Sequence, residues 1–216
     1  IGHTEMLVPR DTAGFPKAGD LDLRPLLKRM DEAGEPLHKV RDQKHDIDDI
    51  LDRELIERAK PALDNATPVE FESEIRNRNR TTCTMLAGEV AKRFGAEGLP
   101  EDTIQIRFTG TAGQSFGAFC HNGMSLTLVG DANDYVGKAM AGGRIVVRQP
   151  EGSKLDPEQN IIAGNVLLYG ATGGEVYIQG VVGERFAVRN SGATAVTEGC
   201  GAHGCEYMTG GTVAII

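Results

Sequence analysis

The hydrophobic pattern divides the chain into a helical first part and a strand-rich second part. In residues 1–80, Ile47, Leu51 and Leu55 recur at the spacing of one face of an amphipathic helix. We expect Pro61 to end this helix, because proline lacks a backbone donor. The first part is therefore predicted to be a connector built of helices and loops.

A second helix is predicted over residues 82–94. Apolar and charged residues alternate there with helical spacing, and Gly95 follows where a left-handed C-terminal cap is common. We expect this helix to pack on the strand-rich part.

From Thr103 onward, short apolar strands alternate with glycines at a period close to 20 residues. Two interleaved ladders share this period. The first is led by Gly123, Gly143, Gly164 and Gly183, and the second by Gly174, Gly192 and Gly211. A strand repeat of this length without a helix predicts a mainly β fold, a single-stranded parallel β-helix in which each coil adds one strand.

Glycine suits the corners of such a coil because it adopts positive φ and lets the next strand approach closely. A β-sandwich is the alternative architecture. It would need antiparallel hairpins with turn pairs such as Asn122-Gly123, and the spacing of the two ladders does not suit it.

Composition supports this division of the chain. Of the 28 glycines, 4 lie in residues 1–80 and 24 in residues 81–216, and tryptophan is absent. Charged residues number 32 of the first 80 but 22 of the remaining 136. We therefore place a connector at 1–80 and a glycine-rich β-helix domain at 81–216.

Charge and hydropathy exclude two classes of partner. The net charge of −8 argues against a nucleic-acid surface, and no run approaches 18 apolar residues, so no membrane partner is expected. Four cysteines without a dense spacing pattern, together with the lack of a basic-then-apolar leader, predict a cytoplasmic chain with free thiols.

The C-terminal residues 211–216 form a predicted strand with nothing after it, and the first residue is isoleucine. An open coil exposes apolar core and unpaired backbone. We expect this chain to be a segment of a longer polypeptide, truncated at its C-terminal end, or to have that end covered by a partner.

Three short motifs imitate active sites. Gly113–Gly117 matches the G-x-S-x-G nucleophile elbow and Gly199–Gly204 matches G-x-G-x-x-G, but neither is followed by the helix that its function requires. Cys200, His203 and Cys205 could supply three metal ligands, but their spacing is irregular and a fourth ligand is missing unless Cys83 or Cys120 folds close. We predict no catalytic, cofactor-binding or metal-binding residue here.

A second functional hypothesis is a self-contained β-helix enzyme acting on a carbohydrate or acyl substrate. Such an enzyme would use charged groups on the outer face of its coils. The available residues are Glu175, Glu184, Arg185, Arg189 and Glu198, which serve equally well as solvated faces.

Several long blocks resemble the C-terminal β-helix domain, of GXGXG type, of the glutamate synthase large (alpha) subunit. The blocks are Thr111–Phe119, Gly130–Lys138, Ile161–Asn165, Leu168–Thr172, Gly183–Ala193 and His203–Gly211. A subunit of formylmethanofuran dehydrogenases shares this kind of coil, but the block at Gly183–Ala193 favours glutamate synthase. Ala202 departs from the acidic residue that the family usually has before His203.

The resemblance implies a right-handed β-helix that carries none of the catalytic groups. The parent enzyme would take ammonia from glutamine and use it to aminate 2-oxoglutarate reductively, with FMN and an iron–sulfur cluster bound upstream. None of Cys83, Cys120, Cys200 and Cys205 would belong to that cluster. Implied partners are the other domains of the large subunit and a small electron-donating subunit, and NADPH, NADH and ferredoxin all stay open as electron donors.

Overall fold

The computed structural model describes residues 6–7, 14, 16–19, 22–29 and 34–216. Contacts divide the chain into two units, at residues 1–46 and 47–216. None of the helices in the described ranges is long and apolar enough to cross a bilayer.

The first unit contains two single-turn helices, α1 (Pro16–Gly19) and α2 (Arg24–Leu27). Before α2, the Asp22 carboxylate accepts hydrogen bonds from the backbone and the guanidinium of Arg24. These contacts lower the pKa of Asp22, through the side-chain bond first and the backbone bond second. Leu23 and Leu26 are exposed, so α2 has no buried face.

The second unit opens with α3 (Leu51–Arg58) and α4 (Lys60–Asn65). The predicted helix ends at Arg58, slightly before Pro61, and Pro61 then stands in the first turn of α4. Proline is well tolerated there because the first backbone donors of a helix have no internal acceptor. The predicted helix thus ends within three residues of Pro61, and α4 is a second short helix that the sequence analysis did not predict.

The helix predicted over 82–94 is confirmed as α5 (Thr84–Phe94). Gly95 follows it with φ 62°, and its N–H donates to Ala91 O, as a C-terminal cap does. Leu86, Ala87 and Val90 form the buried face of α5.

One parallel sheet accounts for most of the second unit, so the fold is mainly β with few helices. Its strands are β1 (Val69–Ile75), β2 (Ile104–Ala112), β3 (Met124–Ala132), β4 (Ala141–Arg148), β5 (Ile161–Ala163), β6 (Gly173–Val182), β7 (Ser191–Cys200) and β8 (Gly210–Ile215). Their order is β1-β2-β3-β4-β6-β7-β8, and β5 pairs with β3 and β6. All pairs are parallel, which excludes the antiparallel hairpins of a β-sandwich.

The sheet begins earlier than residue 81. Strand β1 pairs with β2 over seven residues, from Val69 opposite Ile104 to Ile75 opposite Gly110. The part of the chain predicted as connector thus contributes the first strand. This strand is difficult to recognise in the sequence because its outward positions, Glu70, Glu72 and Glu74, are exposed and interrupt the apolar pattern.

Apolar residues at matching register positions form the core. One row runs through six strands and consists of Ile106, Leu126, Ile145, Val176, Ala195 and Val213. The first five of these side chains are almost fully buried. Each large aliphatic side chain buried in this way contributes about 1.5–3 kcal/mol of transfer free energy.

Strands β4 and β5 are two halves of one strand position. Val129 and Ala132 of β3 pair with Arg148 of β4 and Ala163 of β5. Two residues lie between Val129 and Ala132, but fourteen lie between Arg148 and Ala163. The chain therefore carries 12 extra residues at this strand position. We call residues 149–160 the 149–160 loop.

Candidate functional site

The seven glycines of the predicted ladders divide between two corners of the fold. Gly143, Gly174 and Gly211 have φ of 75°, 93° and 83° and directly precede Arg144, Glu175 and Thr212. Those three followers lie at one register position, together with Thr194. The corner that precedes the strands therefore holds these glycines in line.

The other four glycines complete the two corners. Gly123 and Gly192 lie one register position before the line of Gly143; Gly123 directly precedes β3, and Gly192 is the second residue of β7. Gly164 and Gly183 follow β5 and β6, and Gly183 N–H donates to Gly164 O at 2.9 Å. The structure brings Gly143 together with Gly174, and Gly164 together with Gly183.

Two separate physical effects require glycine at position 143. Its φ of 75° is strained for any residue with a Cβ, and a Cβ there would lie 2.5 Å from the carbonyl oxygens of His121 and Met124. The glycines at this corner therefore let consecutive strands approach to backbone contact.

The corner after each strand repeats a second backbone pattern. Three residues at alternate positions adopt left-handed φ between 53° and 65° in five consecutive connections. The triplets are 115/117/119, 135/137/139, 166/168/170, 185/187/189 and 203/205/207. Twelve of these fifteen residues are not glycine, and Val166 is β-branched. The sequence gives little sign of this feature, since no residue type marks it.

Hydrogen bonds to both neighbouring connections hold the three middle triplets. In the second triplet, Tyr135 N–H donates to Asn165 O and Ala139 N–H to Tyr169 O, while Gly137 N–H donates backward to Phe116 O. Non-glycine residues in this region cost about 1–3 kcal/mol each and persist only where their surroundings fix them. The repeated corner is a rigid, hydrogen-bonded column.

Arg144 is the centre of the largest ion-pair cluster among the described residues. Its guanidinium lies 2.6 Å from Glu101, 3.1 Å from Glu175 and 3.5 Å from Asp102. The hydrogen bond with Glu175 and then that with Glu101 raise the pKa of Arg144. The cluster lines an open groove of about 510 Å³ and ties the 97–102 segment to β4 and β6.

Asp52 is buried and has a structural role. Its carboxylate accepts hydrogen bonds from the backbone N–H groups of Cys83 and Met85, both at 2.7 Å, and of Leu86 at 3.4 Å. Burial raises the pKa of Asp52, and these hydrogen bonds oppose the rise. The residue caps α5 from α3, where it satisfies donors that the start of a helix leaves unpaired.

The four free cysteines lie in two places. Cys83 and Cys120 are fully buried, and burial raises the pKa of Cys120 to about 12 and holds the pKa of Cys83 well above its usual value. Cys200 and Cys205 are partly exposed, and burial followed by the nearby Cys200 raises the pKa of Cys205. His203 is exposed, and the described residues contain no group of three or more His, Cys, Asp or Glu arranged for a metal ion.

The two enzyme-like glycine motifs lie in left-handed turns. Ser115 has φ 65° and its N–H donates to Asp134 O in the next connection. Gly199 and Cys200 end β7, and a turn with left-handed His203 follows. Neither motif is followed by a helix in the described chain, so neither has the local structure that its chemistry needs.

The charged residues of the alternative enzyme hypothesis do not converge on one face. Glu175 is paired with Arg144 on the strand side, whereas Glu184, Arg185 and Arg189 lie in the connection after β6. Glu198 is in β7.

Residues 49–216 match the family model of the GXGXG motif. The chain belongs to the GXGXG motif family. Its match covers all strands of the sheet and α3 to α5. This membership confirms the resemblance that the sequence blocks indicated.

Members of the GXGXG family that are similar to the chain are glutamate synthases. The chain is 48% identical over 218 residues to the glutamate synthase (NADPH) large chain of Bacillus subtilis (strain 168), covering 100% of this chain and 14% of that protein. It is 51% identical over 198 residues to glutamate synthase (NADH) of Schizosaccharomyces pombe, covering 91% and 9%. Identity to ferredoxin-dependent glutamate synthase 1, chloroplastic/mitochondrial, of Arabidopsis thaliana is 45% over 221 residues, covering 100% and 13%. The chain spans about a seventh or less of the length of these relatives.

Proposed function

We propose that this chain is a non-catalytic structural segment of a glutamate synthase large chain. The parent enzyme would transfer ammonia derived from glutamine to 2-oxoglutarate and so make glutamate. The observation that carries this proposal is the similarity of the whole chain to one segment of three kinds of glutamate synthase.

We further propose that the strands coil as a right-handed, single-stranded β-helix. Each of the strand positions pairs in parallel with the next along the chain, and the connections after α5 contain no helix. The repeated left-handed triplets and the two glycine corners support one coil per repeat. A division of the chain near residue 80 into a connector and a β-helix remains a proposal, and strand β1, which pairs with β2, would place the first coil before that boundary.

A bracing role follows from what the charged groups do. The charged side chains with several hydrogen-bond or ion-pair partners join structural elements: Arg144 joins β4 to β6, and Asp52 joins α3 to α5. A rigid column of this kind would hold neighbouring catalytic domains at a fixed separation and help to maintain the path of ammonia between them.

FMN and the iron–sulfur cluster would lie in other domains of the large chain. An iron–sulfur cluster needs three or four thiolates in one place. The cysteines described here form two separate pairs, and Cys83 and Cys120 are held as thiols by burial. The residues of this segment do not fit the cluster, and no step is assigned to them.

The proposed partners are the other domains of the same large chain and a small electron-donating subunit. A cytoplasmic location is part of the proposal. It is supported by four free thiols, which are typical of a reducing compartment.

A direct experiment is to assay this 216-residue chain for glutaminase activity, flavin binding and glutamate formation. The proposal expects no turnover and no bound FMN, with circular dichroism showing a folded β protein in the same sample. Turnover, or one FMN per chain, would refute the non-catalytic role.

A further inference from the structure

The 149–160 loop interrupts one strand position without disturbing the sheet. Strand β4 pairs with β3 and β6 before the loop, and β5 resumes pairing with the same two strands after it. Within the loop, the Asn160 carbonyl still accepts a hydrogen bond from the Val181 N–H of β6 and Gln149 is buried, whereas residues 150–156 are exposed and make no strand pairs. Insertions in repeat proteins are commonly found on the face that binds partners.

Internal hydrogen bonds give the loop a definite shape. Asp156 accepts three of them: Glu158 N–H donates to its carboxylate at 3.0 Å, and Gln159 N–H and Asn160 Nδ2 donate to its carbonyl at 3.1 and 2.8 Å. Leu155 N–H donates to Ser153 Oγ at 3.2 Å. A loop ordered in advance loses less entropy when it binds.

The loop presents an apolar side chain to solvent. Residues 150–156 are all exposed, and the Leu155 residue keeps 58% of its surface accessible. Ile161, at the end of the loop, keeps 69%. Leu155 in the loop and Ile161 at the start of β5 are thus two large exposed apolar residues six positions apart, and neighbouring exposed apolar residues mark interaction sites.

The same loop carries four exposed charged residues on either side of Leu155 in the sequence. Glu151, Asp156 and Glu158 are acidic, Lys154 is the one base in the loop, and all four are exposed. A complementary surface would have an apolar pocket for Leu155 and a rim of Lys or Arg residues.

We propose that the 149–160 loop is a docking element that places Leu155 in an apolar pocket with a cationic rim on another domain of the same large chain. This inference rests on the proposed function. The relative from Bacillus subtilis is only 14% covered by this chain, so most of the surface available to the loop in such a large chain lies outside the segment. Glu151 and Glu158 complement the rim, and Leu155 supplies the anchor.

The test uses the full-length large chain with a photo-crosslinking amino acid at position 155. We expect intramolecular cross-links to a peptide outside residues 1–216. In parallel, Leu155→Asp is expected to raise the amide exchange rate of residues 150–159 by about tenfold or more, which is the effect of losing an interface anchor. The double variant Glu151→Lys/Glu158→Lys should raise it as well.

The control variant is Gln159→Ala, which changes an exposed side chain in the same loop and should leave the exchange rates unchanged. Equal exchange rates in the parent and in Leu155→Asp, or cross-links only to a second copy, would overturn the proposal. These failures would leave glutamate formation by the large chain intact, whereas a full-length chain that forms no glutamate would refute the proposed function itself.

Discussion

The Asp52 carboxylate on α3 accepts a 2.7 Å hydrogen bond from the Met85 N–H in the first turn of α5. The same carboxylate receives the N–H of Cys83, and the residue is 3% exposed. One side chain thus caps a helix that is 33 positions away in the sequence. It also fastens the helices of the second unit to each other.

Replacing Asp52 by alanine should lower the free energy of unfolding by about 2 kcal/mol, because buried N–H groups lose their acceptor. Urea denaturation of Asp52→Ala measures the change. Asp64→Ala is the matched control, since Asp64 pairs with Arg93 at the surface, and its loss should be much smaller. Equal losses in the two variants would contradict the capping role.

The raised pKa of Asp52 has a predictable sign in the pH dependence of stability. A folded-state pKa above the unfolded value means that the folded state binds the proton more tightly, so stability falls as pH rises through the raised pKa. Asp52→Asn removes this titration. The stability of the parent relative to Asp52→Asn should therefore decrease as pH rises from below about 4. Urea titrations at several pH values test this, and an increase with pH would refute it.

Two glycine substitutions separate backbone strain from steric overlap. Gly143→Ala introduces both backbone strain and steric overlap, because φ is 75° and two carbonyl oxygens lie 2.5 Å from the new Cβ. Gly170→Ala meets strain alone, since φ is 65° and no atom lies within 4 Å. We expect losses of about 3 kcal/mol at Gly143 and about 1 kcal/mol at Gly170, measured by urea denaturation. Similar losses would mean that the strands do not approach at Gly143.

Arg144→Met should release the 97–102 segment from the sheet. The side chain is about one-third exposed, so solvent screening limits its contribution to about 1 kcal/mol. Hydrogen exchange should accelerate in residues 97–102, and high salt should reduce the difference from the parent. Arg107→Met, which removes an ion pair of 3.8 Å to Glu72 elsewhere on the sheet, serves as the control and should leave that segment unchanged.

The cysteines should react in two classes with a thiol reagent at pH 8. Cys200 and Cys205 are partly exposed and should be modified in the folded chain, with Cys205 the slower because its pKa is raised. Cys83 and Cys120 should react only after unfolding, because both are buried and their pKa values are raised. Mass spectrometry of labelled peptides measures the order, and early labelling of Cys120 would contradict the structure.

Local patterns predicted the elements that depend on local physics. The helix before Gly95 and the succession of short strands that recur about every 20 residues follow from spacing alone. Strand β1 was hidden because its outward positions are glutamates, and the 20-residue period placed Gly143 and Gly164 in one ladder. In the structure these two glycines lie at different corners. The 149–160 loop explains the difference, because its 12 extra residues shift every later glycine relative to the coil.

Other features could not be read from the sequence. Left-handed residues such as Val166 and Leu168 arise from hydrogen bonds between neighbouring connections, and no residue type announces them. The ion pairs of Arg144 and the capping by Asp52 join positions more than 30 residues apart, so only the folded chain brings them together.

The central claim is that this segment supports catalysis without taking part in it. Its most direct test is the kcat for glutamate formation by the full-length large chain carrying Glu175→Gln, Glu184→Gln or Glu198→Gln, with the melting temperature measured in parallel. The account predicts a kcat within about twofold of the parent for every variant that keeps its melting temperature, because no transition-state interaction is removed. A hundredfold loss of kcat in a variant with an unchanged melting temperature would contradict it.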